Sequence, residues 1–192
     1  MYYAFPFEDL VTVEFRKYDP AATGEPNRII WPLRNYIWGT SGPKFARDMG
    51  RTIQHAELRY GIIDKFNALW RFKLEHIVTS GNTVAADEII DYPEVANDSR
   101  YTFSLYAFAE DAFPGALRDY FAFCKEHYQR TGYRSDLLSV GYRISQDQQS
   151  LLSYSWDGPV MTIDPVSTGN PGWEQFLDEY NQRSAACGGK PV

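Results

Sequence analysis

Few side chains in this sequence have the types and spacing that catalysis requires. Glu14 and Arg16 form one such pair, because residues two apart on a strand share a face. If that face lines a cavity, the pair supplies a carboxylate base beside a fixed positive charge. A solvated strand face is the simpler interpretation of the same pattern. The pair is therefore a candidate substrate-binding element and not a motif.

Motifs of several common enzyme classes are absent from the sequence. The stretch 39–44 lacks the spacing of a phosphate-binding loop, and no GxGxxG or GxSxG motif is present. The acidic pair Glu110 and Asp111 is typical of solvated charges in a loop or in the first turn of a helix. Three histidines fit no metal-ligand spacing and are expected on helix surfaces: His55, His76 and His127. The sequence thus predicts no self-contained catalytic apparatus and no metal site.

Composition is that of a soluble globular domain. The chain has 192 residues, of which 44% are hydrophobic and 23% charged, so it can bury a core without a metal or disulfide. A net charge of −6 without a basic run argues against nucleic acid and acidic membrane surfaces as partners. Cys124 and Cys187 show no pairing pattern, so we expect both to be small core residues with free thiols, as in a protein of a reducing compartment. No apolar stretch can span a bilayer, and no signal peptide is evident. We expect a cytoplasmic protein, unless a leader has been lost.

Aromatic residues make up 16% of the chain, which is high. An aromatic-rich core explains this share. A cavity lined by rings, fit for a bulky apolar or flat ligand, explains it as well.

Hydrophobic periodicity divides the chain into an N-terminal extension, residues 1–99, and a second half, 100–192. In the extension, we predict a strand at 10–17, an interrupted extended stretch at 28–38, and helices between 43 and 76, with a break at Gly61. The extension thus contributes strands and long helices.

The second half has a clearer order of elements. Strands are predicted at 101–108, 137–144 and 160–165, and helices at 114–132 and 172–186. This β-α-β-β-α order contains five of the six elements of a ferredoxin-like unit. The sixth, a strand near Pro191, is predicted to be missing, which leaves a sheet edge open. We therefore predict an α+β fold, with a mainly antiparallel sheet covered by helices.

The stretch from 137 to 192 resembles the end of the cap domain in flavoproteins of the vanillyl-alcohol-oxidase type. In that family a strand with Glu-x-Arg is followed by a second strand and by a helix that ends at Gly-Gly-(Arg/Lys)-Pro. Here the strand is 139–144, the second strand is 160–165, and the helix runs into Gly188–Pro191. The layout of residues 1–99 is similar to the substrate-binding domain of the cholesterol-oxidase branch. The family also includes sugar-lactone and alditol oxidases.

The resemblance implies a substrate-binding cap that is inactive as an isolated chain. FAD would be held by the protein's own FAD-binding domain, and the small-molecule substrate would be an alcohol-bearing sterol, sugar or lactone. Arg143 matches the family's arginine and would supply fixed positive charge to an oxygen of the substrate or of dioxygen. A strand arginine that faces solvent or pairs with a surface carboxylate is the alternative interpretation. Gly141 stands where the family has glutamate, so Glu14 and Arg16 are candidates to replace that carboxylate.

Alternation along strand 139–144 predicts which face meets the ligand. Gly141 and Arg143 share one face, and Val140 and Tyr142 share the other. We expect the apolar pair to pack under the helices and Gly141 to leave space for substrate or flavin.

Two other functions fit the same sequence. One is a free-standing ferredoxin-like module that binds a ligand, or forms a homodimer through its open sheet edge, without catalysis. The other is a scaffold without a small-molecule site.

Overall fold

Helices and antiparallel strands make up this protein, which confirms the predicted α+β class. The structure is a computed structural model that describes residues 1–13, 42–76 and 102–192. In these residues there are four helices, and every strand pair is antiparallel.

The chain divides into two compact units, but not at the predicted boundary. Residues 1–15 belong with 101–192, and residues 16–100 form the second unit. The predicted extension 1–99 is therefore wrong at its start. The reason is a strand pair at the N-terminus that hydrogen-bonds to the second half of the chain.

Within residues 42–76, the described part of the smaller unit, lie two helices, α1 (Gly42–Thr52) and α2 (Ala56–His76). The rings of Phe45 and Phe66 stack with their centroids 5.0 Å apart and join the two helices. Two helices between 43 and 76 are confirmed, but the predicted position of the break is wrong: it lies at 53–55, and Gly61 lies inside α2. An interior glycine costs about 1 kcal/mol, which is too little to end a long helix. The predicted stretch 28–38 lies outside the described residues.

The larger unit contains nine strands and two helices in its described residues. The strands are β1 (Tyr2–Phe5), β2 (Leu10–Val13), β3 (Thr102–Phe103), β4 (Tyr106–Ala109), β5 (Ser139–Gly141), β6 (Arg143–Ile144), β7 (Val160–Ile163), β8 (Val166–Ser167) and β9 (Lys190–Pro191). The helices are α3 (Phe113–Thr131) and α4 (Trp173–Ala186).

The strands form three hydrogen-bonded groups. Their orders are β6-β7-β4-β9, β2-β1-β5 and β3-β8. Val140 of β5 and Asp164, the residue after β7, exchange backbone hydrogen bonds of 3.1 and 2.9 Å. β5 therefore pairs with the end of the β7 segment. β1, which the sequence analysis did not predict, pairs with β5 and so adds N-terminal residues to the antiparallel strands of the second half.

The last strand, predicted to be missing, begins inside this chain. Lys190 pairs with Ala107 of β4, and the Val192 amide donates to the Leu105 carbonyl at 3.0 Å. The sheet position beside the first half of β4 is therefore filled.

The ends of the helices are those that the sequence indicated. Pro114 lies in the first turn of α3, and Gly132, at φ 72°, caps its C-terminus. Gly188, at φ 81°, follows α4, in the left-handed conformation that glycine adopts most easily.

In the larger unit, an aromatic core fills the space between the sheet and helices α3 and α4. It includes buried rings from β1, β4, α3 and α4, among them Tyr2, Tyr106, Tyr120, Phe123, Phe176 and Tyr180. His127 is fully buried in this core, so its prediction as a surface residue is wrong. Cys124 is buried as predicted, whereas Cys187 is exposed at the end of α4.

Candidate functional site

A cleft of about 540 Å³ lies beside β4 in the larger unit. Its floor includes Ala107 and Ala109 of β4. One wall is formed by residues from Tyr154 to Val160, and the turn after α4 contributes Gly188 and Lys190. The loop between β6 and β7, the β4 edge and the α4–β9 turn therefore meet at this cleft.

The cleft is open because β9 covers only half of β4. β9 pairs with Tyr106 and Ala107 and then runs away from Ala109. The turn that directs it needs glycine. A Cβ on Gly189 would lie 2.8 Å from the ring of Phe108, closer than packed atoms approach. The β4 edge beside Ala109 is therefore exposed to the cleft.

Three carboxylates and one ammonium group line the cleft, at Glu110, Asp111, Asp157 and Lys190. Lys190 Nζ lies 2.9 Å from Asp157 Oδ2, an exposed ion pair between β9 and the β6–β7 loop. Asp111 Oδ1 accepts a hydrogen bond from the Ala112 amide at 2.9 Å, but no side chain caps the N-terminus of α3, which begins after Ala112. The cleft is thus polar and partly neutralised.

Arg143 does not line the cleft, but it forms an ion pair with Glu110, which does. Its Nε lies 2.6 Å from Glu110 Oε1 and its Nη2 lies 3.0 Å from Oε2, a bidentate pair. The hydrogen bonds from Arg143 lower the pKa of the Glu110 carboxyl. Both side chains are exposed. Arg143 is therefore paired with a carboxylate on the cleft wall, and its predicted role at a substrate stays a prediction.

Gly141 does not leave a space for a ligand, which corrects the prediction. It pairs with Tyr2 of β1, and a Cβ at Gly141 would collide with the Tyr2 ring and the Thr162 carbonyl. The neighbouring Ser139 hydroxyl bonds to Tyr120 of α3. The Ser139–Gly141 side of β5 therefore faces the helices.

The predicted assignment of the two faces is reversed for the same reason. Tyr142 is 43% exposed, although it was expected under the helices. Val140, on the side of the strand away from Ser139, is nevertheless buried. Because residues on both sides of this strand are buried, hydrophobicity does not identify the side that the helices cover.

The other predicted substrate-binding pair cannot be placed. Glu14 and Arg16 lie outside the described residues. The strand predicted around them begins as β2, at Leu10.

A buried carboxyl at Asp164 was missed by the sequence analysis. It is 3% exposed, and its Oδ1 has no hydrogen-bond partner in the part of the chain that the structure describes. Burial raises the pKa of Asp164 to about 7. The sequence signal was weak, because Asp164 precedes Pro165 and resembles an ordinary strand end. Asp164 does not line the cleft.

The described residues contain no metal centre. No group of three His, Cys, Asp or Glu side chains among them could hold a metal ion. None of the described helices has the length and apolar character needed to cross a membrane. The cleft carboxylates would repel the phosphates of a dinucleotide, so the cleft does not fit FAD's pyrophosphate.

Comparison of the chain with protein-family profiles, curated proteins and solved structures finds no match. The ferredoxin-like assignment therefore depends on element order and strand order alone.

Proposed function

We propose that this chain is the substrate-binding cap of a flavin-dependent oxidoreductase, and that the cleft beside β4 forms part of its substrate site. One observation carries the proposal. The Gly-Gly-Lys-Pro segment and Glu110, the partner of Arg143, line or approach the same cleft. Gly-Gly-Lys-Pro and Arg143 are positions that the family resemblance matches in this chain, whereas Glu110 lies outside the stretch that carries it.

The Gly-Gly-Lys-Pro segment has a clear structural task. Gly188 ends α4, and Gly189 lets the chain pass close to Phe108 before Lys190 pairs with Ala107. A turn of this shape sets the register of β9 and brings Lys190 to the cleft. The segment thus supports both the fold and the site.

The cleft side chains suit the binding of a hydroxyl-bearing substrate. Carboxylates at Glu110 and Asp157 can accept hydrogen bonds from hydroxyl groups, and Lys190 can donate them. Tyr154 offers an aromatic face at the same wall. The cleft is open to solvent, so a second protein surface would be needed to exclude water.

FAD, when bound by its own domain, would accept the hydride that the substrate loses. This chain would bind and orient the substrate. Since the cleft does not fit FAD's pyrophosphate, the isolated chain is expected to be colourless after purification and inactive. A stoichiometric yellow complex of the isolated chain with FAD would contradict this division of tasks.

Filling the cleft tests the proposal in the protein that joins this chain to an FAD-binding domain. Ala109 lies on an exposed part of the cleft floor, so Ala109→Trp should fill the cleft without disturbing the core. Val13→Trp, at the exposed last residue of β2, is the matched control. Substrates are screened among sterols, alditols and sugar lactones by the bleaching of the flavin absorbance.

We expect Ala109→Trp to raise the KM of the best substrate by about tenfold or more, since it removes binding contacts. The Val13→Trp variant should behave as wild type. Equal kinetics in all three proteins would show that the cleft is not the substrate site.

Arg143 provides a second test in the same protein. If its charge stabilises the transition state, Arg143→Ala should slow flavin reduction by roughly 10²–10³ at saturating substrate. Arg143→Lys should restore only part of the rate, because one ammonium cannot reproduce the bidentate contact with Glu110. Full rates in the alanine variant would remove Arg143 from the site.

Homodimerisation without catalysis is the second candidate. It is favoured by β9, whose two residues are exposed and whose only strand neighbour in the described sheet is β4. A second copy could pair with its outer edge. Sedimentation equilibrium of the isolated chain would show a dimer in that case, and a monomer at all concentrations would exclude it.

A further inference from the structure

The charges that line the cleft beside β4 do not balance. Its described lining residues include three carboxylates, at Glu110, Asp111 and Asp157, and one cation, at Lys190. Lys190 pairs with Asp157 at 2.9 Å. Arg143, which does not line the cleft, holds Glu110 in a bidentate pair. Two of the three carboxylates are therefore neutralised by ion pairs.

Asp111 is the carboxylate that keeps its charge. Its Oδ1 accepts a hydrogen bond from the Ala112 amide at 2.9 Å, which is a neutral donor. No lysine, arginine or histidine within the described ranges forms an ion pair with it. The N-terminus of α3, which begins after Ala112, supplies about half of a unit positive charge and so offsets Asp111 only in part. The cleft therefore keeps a net negative charge.

Tyr154 provides a second feature that suits a cation. It lines the same cleft and is half-buried, so one part of its ring is accessible. Its side chain makes no hydrogen bond or ring contact to the rest of the described chain. A protonated amine is attracted to the face of a tyrosine ring, whereas an anion gains nothing there. The aromatic wall and the charge of Asp111 thus favour the same kind of ligand.

The volume of the cleft and its paired carboxylates leave room for hydroxyl groups as well. About 540 Å³ lies within the range of small-molecule sites. A carboxylate has about four acceptor positions, so Glu110 and Asp157 can accept hydrogen bonds from hydroxyl groups while their ion pairs persist. A ligand can therefore place an amine at Asp111 and hydroxyl groups at the other two carboxylates.

We infer that the cleft selects hydroxyl-bearing compounds that carry a protonated amine, such as amino alditols and amino sugars, and that Asp111 determines this selectivity. This inference rests on the proposed function, in which the cleft is a substrate site, and adds the charge class of the substrate. A neutral compound of the same skeleton binds less tightly, and an anionic one binds least tightly.

Three probes that differ only in the charge at one end test the inference. They are 1-amino-1-deoxy-D-glucitol, D-glucitol and D-gluconate, which share a six-carbon polyol skeleton. Each probe is titrated into the 192-residue chain at low ionic strength, and binding is followed by amide NMR. The amides of Ala109, Gly158 and Gly188 report on the cleft, and that of Gly61 in α2 is the reference outside it.

We expect the amine to bind with a Kd about threefold to fivefold lower than that of glucitol, which is the strength of an exposed ion pair. Gluconate should bind more weakly than glucitol, because Asp111 repels its carboxylate. The preference for the amine should largely disappear in 1 M salt, where the Debye length is about 3 Å.

A matched pair of variants tests the role of Asp111. Asp111→Asn keeps an acceptor oxygen for the Ala112 amide but removes the charge, so the amine should bind no more tightly than glucitol. Asp178→Asn, at an exposed position of α4 outside the cleft lining, removes the same charge and should keep the preference. Both substitutions are at exposed side chains, so the melting temperatures should match wild type.

Each other outcome overturns the inference in a recognisable way. Equal Kd values for the amine and glucitol at the cleft amides would reject the charge selectivity and leave the cleft as the proposed substrate site. An undiminished preference in Asp111→Asn would reject Asp111 as its cause. Amine-induced shifts of equal size at Gly61 would show a general attraction of cations to an acidic chain. No shift at the cleft amides with any probe would reject both the selectivity and the cleft as a site for such compounds.

Discussion

The two sides of β4 in the larger unit differ in how their polar groups are satisfied. On the helix-covered side, Tyr180 donates to the Ile163 carbonyl at 2.6 Å, and His127 Nδ1 lies 2.9 Å from Glu179. These groups are packed among aromatic rings. In the cleft, the Lys190–Asp157 pair is exposed to water.

Because of this difference, we expect the helix-covered side to contribute most of the stability of the fold and the cleft side to contribute little. Buried contacts on the helix side lose much free energy when an atom is removed, because water cannot replace them. Exposed ion pairs contribute little to stability, because water screens and solvates them. The fold therefore does not depend on the cleft side chains, and substitutions of them should leave the fold intact.

The largest effect is expected for Phe176→Ala in α4. Phe176 is fully buried, and its ring centroid lies 5.0 Å from that of Phe123 and 5.1 Å from that of His127. The lost burial and the resulting cavity should lower the free energy of unfolding by about 3–5 kcal/mol in denaturant titration. Phe103→Ala, at a 56% exposed position, is the control and should change it by less than about 1 kcal/mol. Similar losses in both variants would contradict the comparison.

Asp164 should make stability depend on pH. Its folded pKa of about 7 lies above the ordinary value of 3.8, so folding favours the protonated form. Its contribution is fully present below pH ~4, falls as the pH rises toward about 7, and is absent above that, a total of a few kcal/mol at most. Asp164→Asn should remove this part of the slope in unfolding titrations at several pH values. An unchanged slope in the asparagine variant would assign the pH dependence to other groups.

Two glycines offer a matched contrast between the packed side and the cleft. Gly141→Ala should destabilise the fold by about 1–3 kcal/mol, because its Cβ meets the Tyr2 ring and a backbone carbonyl. Gly158→Ala, on the cleft wall, meets nothing within 4 Å and should be close to neutral. Thermal unfolding of the two variants measures the difference, and a neutral Gly141→Ala would show that Tyr2 moves aside easily.

The smallest effect concerns the exposed Glu110–Arg143 pair. The Glu110 carboxyl should titrate below its ordinary pKa of 4.5, because Arg143 donates hydrogen bonds to it. In the Arg143→Ala variant, carbon-detected NMR should show this pKa returning toward the ordinary range. The melting temperature should not change measurably. A normal Glu110 pKa in the wild type would mean that the pair does not form in solution.

Several elements could be predicted because their signals are local. The periodicity from Phe113 to Thr131, with Pro114 in the first turn and Gly132 after the end, is sufficient to place α3. The same holds for α4 and the glycine that follows it. The α+β class and the antiparallel strands followed from the order of such segments.

What the sequence could not decide depended on partners distant in the chain. β1 is short and lies beside Pro6, and only its pairing with Gly141 makes it a central strand. That pairing places Tyr2 over Gly141 and turns Ser139 toward Tyr120, so it decided which side of the strand the helices cover. Likewise, only the fold brings the carboxylate of Glu110 and the guanidinium of Arg143 together as an ion pair. Hydrophobic period and capping are local properties that a sequence determines by itself. The choice of sheet face and the meeting of charged side chains require long-range contacts, which only the tertiary structure provides.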